Sequence, residues 1–184
     1  MNDEKTSNDP RAALVVTKGV PVAVKDLQTL ISEIGIPEKI PFGDGEVAYR
    51  LKSIKHKAFK KHFGLDDHIW IKPSEKRYKD AWNKAGCKSP GGAFHLDHLH
   101  SKARAIKENY KYVVLYPCPG GPNSSAGHKE KLLAASANID TATKQPIYFA
   151  EEIHFCKMWG CYQHLNRGLS DSEVERLLKE YGVA

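Results

Sequence analysis

The sequence predicts an α+β protein, a single mainly helical domain built around a compact strand–strand–helix unit with short antiparallel strands. Residues 94–98 alternate apolar and polar side chains, as a half-buried strand does. Residues 112–116 are rich in Val and Tyr and predict a second strand. Four other segments place apolar residues three or four positions apart, which is typical of helices.

Length and composition bound the interpretation. The chain has 184 residues, which suits one domain, here residues 12–184 after a disordered leader at 1–11. The net charge of +6 favours a polyanionic partner such as nucleic acid. Four scattered cysteines, no secretory signal and no long apolar run predict a reducing, cytoplasmic compartment without a membrane partner.

The first third of the domain is predicted to be strand, helix, turn and helix. Residues 12–24 favour one or two short strands, and residues 24–34 favour a helix that Gly35 ends. Residues 40–45 are rich in turn formers. Residues 46–63 have apolar side chains at helical spacing and basic ones between them, which predicts an amphipathic helix with a basic outer face.

The basic face of that helix is a candidate nucleic-acid contact. Its Lys and Arg side chains follow one another without an acid after Glu46, and they can neutralise phosphates. The alternative is a solvated face that only keeps the protein soluble. The candidate contacts are Arg50, Lys52, Lys55, Lys57, Lys60 and Lys61, with Lys102 and Arg104 from the later loop.

The middle of the chain supplies the predicted core, at about residues 94–135. Before it, residues 65–73 favour a strand and residues 74–85 a helix. Inside it, a basic loop joins the two strands, and residues 117–122 then break the chain. Asn123 or Ser124 can cap the following helix, which completes the strand–strand–helix unit.

The remaining C-terminal segments are less distinctive. Residues 138–146 are predicted to be a loop, and residues 147–153 are either a strand or the start of a helix. Ser170 and Glu173 form a capping box for a last helix that Gly182 ends.

Oxygen and nitrogen donors converge in the predicted core. Asp97, His98, His100, Asn123 and His128 lie at the strand ends and helix start, and they suit Mg²⁺ or a similar divalent cation with a histidine base beside it. His128 is either a third metal ligand, a phosphate donor or a surface histidine. His100 contacts metal or substrate, or merely lies in the loop.

These residues resemble a known family. Asp97-His98-Leu99-His100, the hydrophobic strand and Asn123-Ser124-Ser125-Ala126-Gly127 are similar to the ββα-metal (His-Me finger, HNH-type) nucleases, and closest to the recombination endonuclease VII branch. The resemblance implies a DNA endonuclease in which His98 activates water while Asp97 and Asn123 hold Mg²⁺ or Mn²⁺. Asn109 is the competing candidate for the metal-site asparagine. RNA as substrate and a homodimer both stay open.

The zinc site of that branch is incomplete in this sequence. Its two Cys-x-x-Cys pairs are reduced here to Cys87 and Cys118, which are interpreted as a remnant or as buried thiols. A second group of potential zinc ligands has a spacing that fits no standard class. It consists of His154, Cys156, Cys161 and His164.

Two other function classes compete with the nuclease. One is a non-catalytic protein that binds nucleic acid through the same basic surface. The other is an interaction module that structural zinc stabilises through the Cys and His pairs. Metal-dependent nicking of plasmid DNA separates the nuclease from the first, and stoichiometric zinc in the purified protein would favour the second.

Overall fold

A computed structural model describes residues 20–52, 67–87, 94–119, 145–151, 153, 154 and 157. These residues form a seven-stranded antiparallel sheet with three short helical segments. The strands are β1 (Pro21–Val24), β2 (Glu38–Phe42), β3 (Glu46–Lys52), β4 (Asp67–Ile71), β5 (Phe94–His98), β6 (Tyr112–Pro119) and β7 (Ile147–Phe149). The helices are α1 (Leu27–Thr29, continued by the π-helical turn Leu30–Ile34), α2 (Tyr78–Lys84) and α3 (Lys102–Lys107).

The prediction of a mainly helical domain was therefore wrong, and the largest error among the described residues is the start of the basic helix predicted over residues 46–63, of which 53–63 lie outside the described residues. Residues Glu46–Lys52 form β3, paired with β2 and β4. Val47, Tyr49 and Leu51 face one cluster of buried side chains, whereas Ala48 belongs to the other. Val47, Tyr49 and Leu51 therefore alternate with Arg50 and Lys52 as a strand requires, but Val47 and Leu51 are also four residues apart, which mimics helical spacing.

Strand β2 corrects a second prediction, because residues 40–45 were interpreted as turn alone. Ile40 and Phe42 are buried and alternate with exposed neighbours, as a strand requires. Pro41 is tolerated because β2 lies at the edge of the sheet, where a missing N–H costs no ladder bond. The turn itself is confined to residues 43–45, where Gly43 and Gly45 have positive φ.

The sheet order is β2-β3-β4-β6-β1-β7, and β5 also pairs with β6. On one edge β6 pairs with β4, and on the other it pairs first with β1 and then with β5. Helix α1 packs Leu30 and Ile34 on one face of the sheet, whereas Ala81 and Trp82 of α2 pack on the other. β5 therefore brings its C-terminal end, Asp97-His98, to the middle strand of the sheet.

Several predicted elements agree with the structure. Strands at residues 94–98 and 112–116 are confirmed, the second extending to Pro119, and β4 lies within the strand predicted at 65–73. The helices predicted at 24–34 and 74–85 are confirmed in shorter form. The leader, the helix after Asn123 and the helix after Ser170 lie outside the described residues.

Helix α3 replaces the predicted basic loop between the two central strands. The Ser101 side chain caps it by accepting from the N–H of Arg104 at 3.4 Å. At its other end Asn109 has φ 61°, and the N–H groups of Asn109 and Tyr110 donate to the carbonyls of Ile106 and Ala105. This is a Schellman ending, in which Asn109 occupies the left-handed position that terminates the helix.

Candidate functional site

Asp97 and His98 occupy the last two positions of β5. Asp97 pairs with Tyr116 and His98 with Leu115, so the strand keeps its regular alternation to the end. Successive side chains of a strand point to opposite faces. At the end of the strand both residues nonetheless lie beside α2, Asp97 in the lining of a cleft that Tyr78 borders and His98 with its ring 4.9 Å from that of Tyr78.

The His98 imidazole is buried between the sheet and α2. Only 5% of the surface of His98 is exposed, and its ring lies 4.9 Å from the ring of Tyr78. Among the described residues, nothing forms a hydrogen bond with its Nε2. Burial lowers the pKa of His98 to about 4, and the positive charges of Lys157 and Lys102 add to this against the opposing effect of Asp97. His98 is therefore neutral near pH 7 and can accept a proton.

Asp97 is held by a buried lysine. The Lys157 ammonium forms an ion pair with Oδ2 of Asp97, and it donates to the backbone carbonyl of His98 at 2.7 Å. The Lys157 side chain is 1% exposed and that of Asp97 is 25% exposed. The other carboxylate oxygen of Asp97 accepts from the N–H of His98 at 2.8 Å. A cation thus already lies on the predicted metal ligand.

An open cleft borders Asp97 between β5 and α2. The β5–α2 cleft has a volume of about 470 Å³, and its walls are mostly polar. It is lined by Phe94, His95, Leu96 and Asp97 from the strand and by Tyr78, Lys79, Trp82 and Asn83 from the helix. Asp97 is the carboxylate of this lining, and Lys79 brings a positive charge to the same space.

His100 belongs to a buried hydrogen-bond chain. His154 Nδ1 accepts from the N–H of Glu151 at 2.9 Å, so its Nε2 carries the proton and donates to Nδ1 of His100 at 3.1 Å. His100 Nε2 then donates to the Glu108 carboxylate at 2.9 Å. One tautomer of each ring satisfies all four nitrogens. In this arrangement His100 has no nitrogen left for a metal or a substrate.

The same carboxylate binds Arg104, which links the chain to a second cluster. Arg104 donates to Glu108 at 2.8 Å and to Glu151 at 3.2 Å, and it also contacts the hydroxyl of Tyr148. Tyr148 in turn donates to Glu151. The Arg104 guanidinium is therefore engaged inside the protein, and the structure does not offer it to nucleic acid as predicted.

Four polar side chains, spaced three residues apart in the C-terminal part of the chain, make the contacts to Asp97, His98, His100 and Arg104. This 148–157 row consists of Tyr148, Glu151, His154 and Lys157. Tyr148 and Glu151 bind Arg104, His154 binds His100, and Lys157 binds at the end of β5. The row therefore fixes the segment from Asp97 to Glu108, and sequence analysis assigned only His154 of it to any site.

The buried histidines predict acid-sensitive stability. Burial lowers the pKa of His100 and that of His154 below the usual value near 6.5. The unfolded chain then binds more protons than the native one below pH 6.5, so stability is full above that pH and falls as the pH decreases. We expect the free energy of unfolding to fall by up to about 1.4 kcal/mol per pH unit for each histidine between pH 6.5 and 5.

Urea unfolding at half-unit steps from pH 7.5 to 5 measures this effect. The His154→Gln variant should show a shallower dependence, because one of the buried rings with a lowered pKa, which also include His98 and His100, is gone. Equal stability of the wild type at pH 7 and pH 5 would contradict the neutral histidine chain.

The other predicted metal and substrate residues divide into two groups. Asn123 and His128 lie outside the described residues. Asn109 is described, and its left-handed backbone and exposed side chain, which accepts from Lys111 at 2.7 Å, are explained by the helix ending. The structure does not bring Asn109 to Asp97, so Asn123 stays the preferred partner.

The residues predicted to contact nucleic acid differ in how accessible they are. Arg50 donates to Asp67 at 3.0 Å and to the carbonyl of Ala85 at 3.0 Å, so it connects β3, β4 and the end of α2. Lys52 and Lys102 are exposed and remain open to a phosphate. The other four predicted contacts, Lys55, Lys57, Lys60 and Lys61, lie outside the described residues.

The predicted zinc ligands are not assembled in the described part of the chain. Cys87 and Cys118 are free thiols; Cys118 is buried in β6, and burial raises the pKa of the Cys87 thiol. Both nitrogens of His154 are hydrogen bonded. Within the described ranges, no group of three His, Cys, Asp or Glu side chains can hold a metal ion. Cys156, Cys161 and His164 lie outside these ranges.

No family model, curated protein or solved structure matches the chain. The site is therefore interpreted from its own geometry. None of the described helices has the length and apolar character needed to cross a membrane.

Four residues of the site were missed by sequence analysis, Glu108, Tyr148, Glu151 and Lys157. Glu108 had a local signature, because it lies four residues after Arg104 and such spacing brings opposite charges together on a helix. Lys157 had none, since its partners at the end of β5 are remote in sequence.

Proposed function

We propose that the protein is a metal-dependent endonuclease that hydrolyses phosphodiester bonds of DNA, with His98 as general base. The observation that carries the proposal is the Asp97-His98 pair at the end of β5, a carboxylate beside an open polar cleft followed in the chain by a neutral imidazole. Hydrolysis of a phosphodiester needs both a base for water and a cation for the developing charge.

The properties of His98 suit the base. Its imidazole is neutral at pH 7, and Nε2 forms no hydrogen bond with the described residues; the burial that lowers its pKa also weakens it as a base until water reaches it. A proton acceptor without a partner is available to a water molecule that reaches it. Since Nε2 is covered in this structure, the side chains around it, Tyr78 among them, must move to admit that water.

The properties of Asp97 suit the cation. It is a partly exposed carboxylate that already holds an ammonium, so its charge and donor type fit Mg²⁺ or Mn²⁺. Asn123 is the proposed second ligand and His128 a third. When bound, the cation would supply the positive charge that stabilises the transition state.

Positive charge in the cleft and elsewhere on the surface supports DNA as the substrate. Lys79 lines the cleft, Lys52 and Lys102 are exposed, and the whole chain carries a net charge of +6. These charges recognise phosphates rather than bases, so RNA belongs in the same assay. Acting on DNA, the protein would work in the cytoplasm of a bacterium or phage host. Zinc as a structural ion is no longer proposed on His154, whose nitrogens are both engaged.

Plasmid nicking with Mg²⁺, Mn²⁺, Zn²⁺ or EDTA tests the proposal. We expect cleavage with Mg²⁺ or Mn²⁺ and none with EDTA. Asp97→Ala and Asn123→Ala should each abolish cleavage and leave most of the DNA affinity. Each substitution removes a metal ligand, whereas the side chains that contact phosphates remain. The same assay with RNA and single-stranded DNA defines the substrate.

The control is a pair of asparagine variants. Asn109→Gly keeps the left-handed helix ending and should cleave like the wild type. If Asn123→Ala cleaves normally while Asn109→Gly does not, the wrong asparagine has been assigned to the metal. If the protein binds DNA but does not cleave it with any of the metal ions, the non-catalytic nucleic-acid-binding protein is the better interpretation.

A further inference from the structure

We propose that Lys157 is a built-in competitor of the divalent cation at Asp97, and that it sets the metal affinity of the site. This inference rests on the proposed function, because it concerns the same carboxylate. It assigns a role to a residue that the cleavage chemistry does not use, and it explains why a basic side chain is buried at this place.

The Lys157 ammonium contacts two oxygens of different kinds. Lys157 Nζ forms an ion pair with the Asp97 carboxylate and donates to the carbonyl of His98 at 2.7 Å. Carboxylate and carbonyl oxygens are the ligands that hard divalent cations prefer. The ammonium therefore occupies donors that a metal ion at Asp97 would use.

Burial makes the two cations exclude each other. Lys157 is 1% exposed, so its charge is weakly screened by solvent, and Asp97 is only 25% exposed. Two positive charges on one partly buried carboxylate repel each other much more strongly than in water. Binding of a metal ion must therefore displace or weaken the Lys157 contact, which lowers the affinity for the metal.

The contact also connects metal binding to the C-terminal segment. Lys157 is the last member of the 148–157 row, and its neighbour His154 remains tied to His100. A metal ion that releases Lys157 leaves the rest of the row in place. We therefore expect a local change around Lys157 rather than a loss of the fold.

Calorimetric titration of the full chain with Mn²⁺, without DNA, tests the proposal. Lys157→Met removes the ammonium and keeps the length of the side chain, and it should bind Mn²⁺ roughly tenfold more tightly or better. Lys157→Arg keeps the charge and should bind as weakly as the wild type. Asp97→Asn combined with Lys157→Met should lose the gain, because the shared carboxylate is gone.

A second measurement uses the wild type, in case Lys157→Met does not fold. Amine acylation followed by mass spectrometry should label Lys157 more strongly with saturating Mn²⁺ than with EDTA. Lys25, which donates to the carbonyl of Glu108, is the internal control and should not change. Unchanged labelling of Lys157 at saturating Mn²⁺ would overturn the proposal.

The outcomes separate this inference from the proposed function. Tighter Mn²⁺ binding by Lys157→Met supports the competition, even if no variant cleaves DNA. Equal Mn²⁺ affinity of the wild type and Lys157→Met overturns it, even if the wild type cleaves. Absence of Mn²⁺ binding in both proteins overturns it as well, whatever the nicking assay gives.

Discussion

Replacing Glu108 with alanine should lower the free energy of unfolding by roughly 3–5 kcal/mol, the usual loss when one partner of a buried ion pair is removed. Glu108 is 1% exposed and accepts from His100 and Arg104 at 2.9 and 2.8 Å. Burial alone would raise the pKa of Glu108, but these two hydrogen bonds lower it, so the carboxylate is charged. Its removal leaves the buried imidazole N–H of His100 without its acceptor and removes one of the two carboxylate partners of Arg104.

Urea unfolding at pH 7.5 measures this loss. The control is Glu33→Ala, which removes an exposed carboxylate and should change stability by no more than about 0.5 kcal/mol. Glu108→Gln keeps the volume and one acceptor oxygen, so its loss should lie between those of the two alanine variants. A loss below about 1 kcal/mol for Glu108→Ala would mean that the buried network contributes little to the fold.

Replacing His98 with alanine should lower the rate of DNA cleavage by roughly 10²- to 10⁴-fold, the usual range for a lost general base. Metal binding should survive, since Asp97 remains. An unperturbed histidine would give a rate that rises through pH 6–7. Because burial lowers the pKa of His98 to about 4, we instead expect no rise from His98 ionisation in that region.

Nicking rates and melting temperatures of the same preparations check this prediction. The contrasting variant is His100→Ala, which removes an equally buried imidazole two residues away. It should lower the melting temperature more than it lowers the cleavage rate of the folded protein, because its ring is held in the hydrogen-bond chain. A folded His98→Ala protein that cleaves at the wild-type rate would remove His98 from the mechanism.

The strands of the sheet were predictable where their sequence is locally distinct. β4, β5 and the start of β6 alternate or concentrate β-branched and aromatic residues, and these predictions were confirmed. β3 was not, because Val47 and Leu51 are four residues apart and fit a helix as well as they fit the alternation with Tyr49. α3 was missed because six residues give too short a pattern, although Ser101 and Asn109 mark its two ends.

The candidate site was only half predictable for a different reason. Asp97 and His98 stand out as a short local pattern, and their place at the end of a strand was confirmed. Their partners come from remote segments, so local spacing contains no information about them. His154 shows the difference clearly. Its cysteine neighbours in sequence suggested zinc, whereas its partner in space is the His100 ring.

The position of β1 has a consequence for how the chain folds as it is synthesised. β1 is synthesised before the other described strands, yet it pairs with β6 and β7, at residues 112–113 and 147–149. Its fully buried residues must therefore wait, unpaired, until nearly all of the described sheet has been translated. Such non-local pairing slows folding, and waiting apolar strands favour aggregation. Chaperones that hold nascent chains should accordingly raise the yield of native protein.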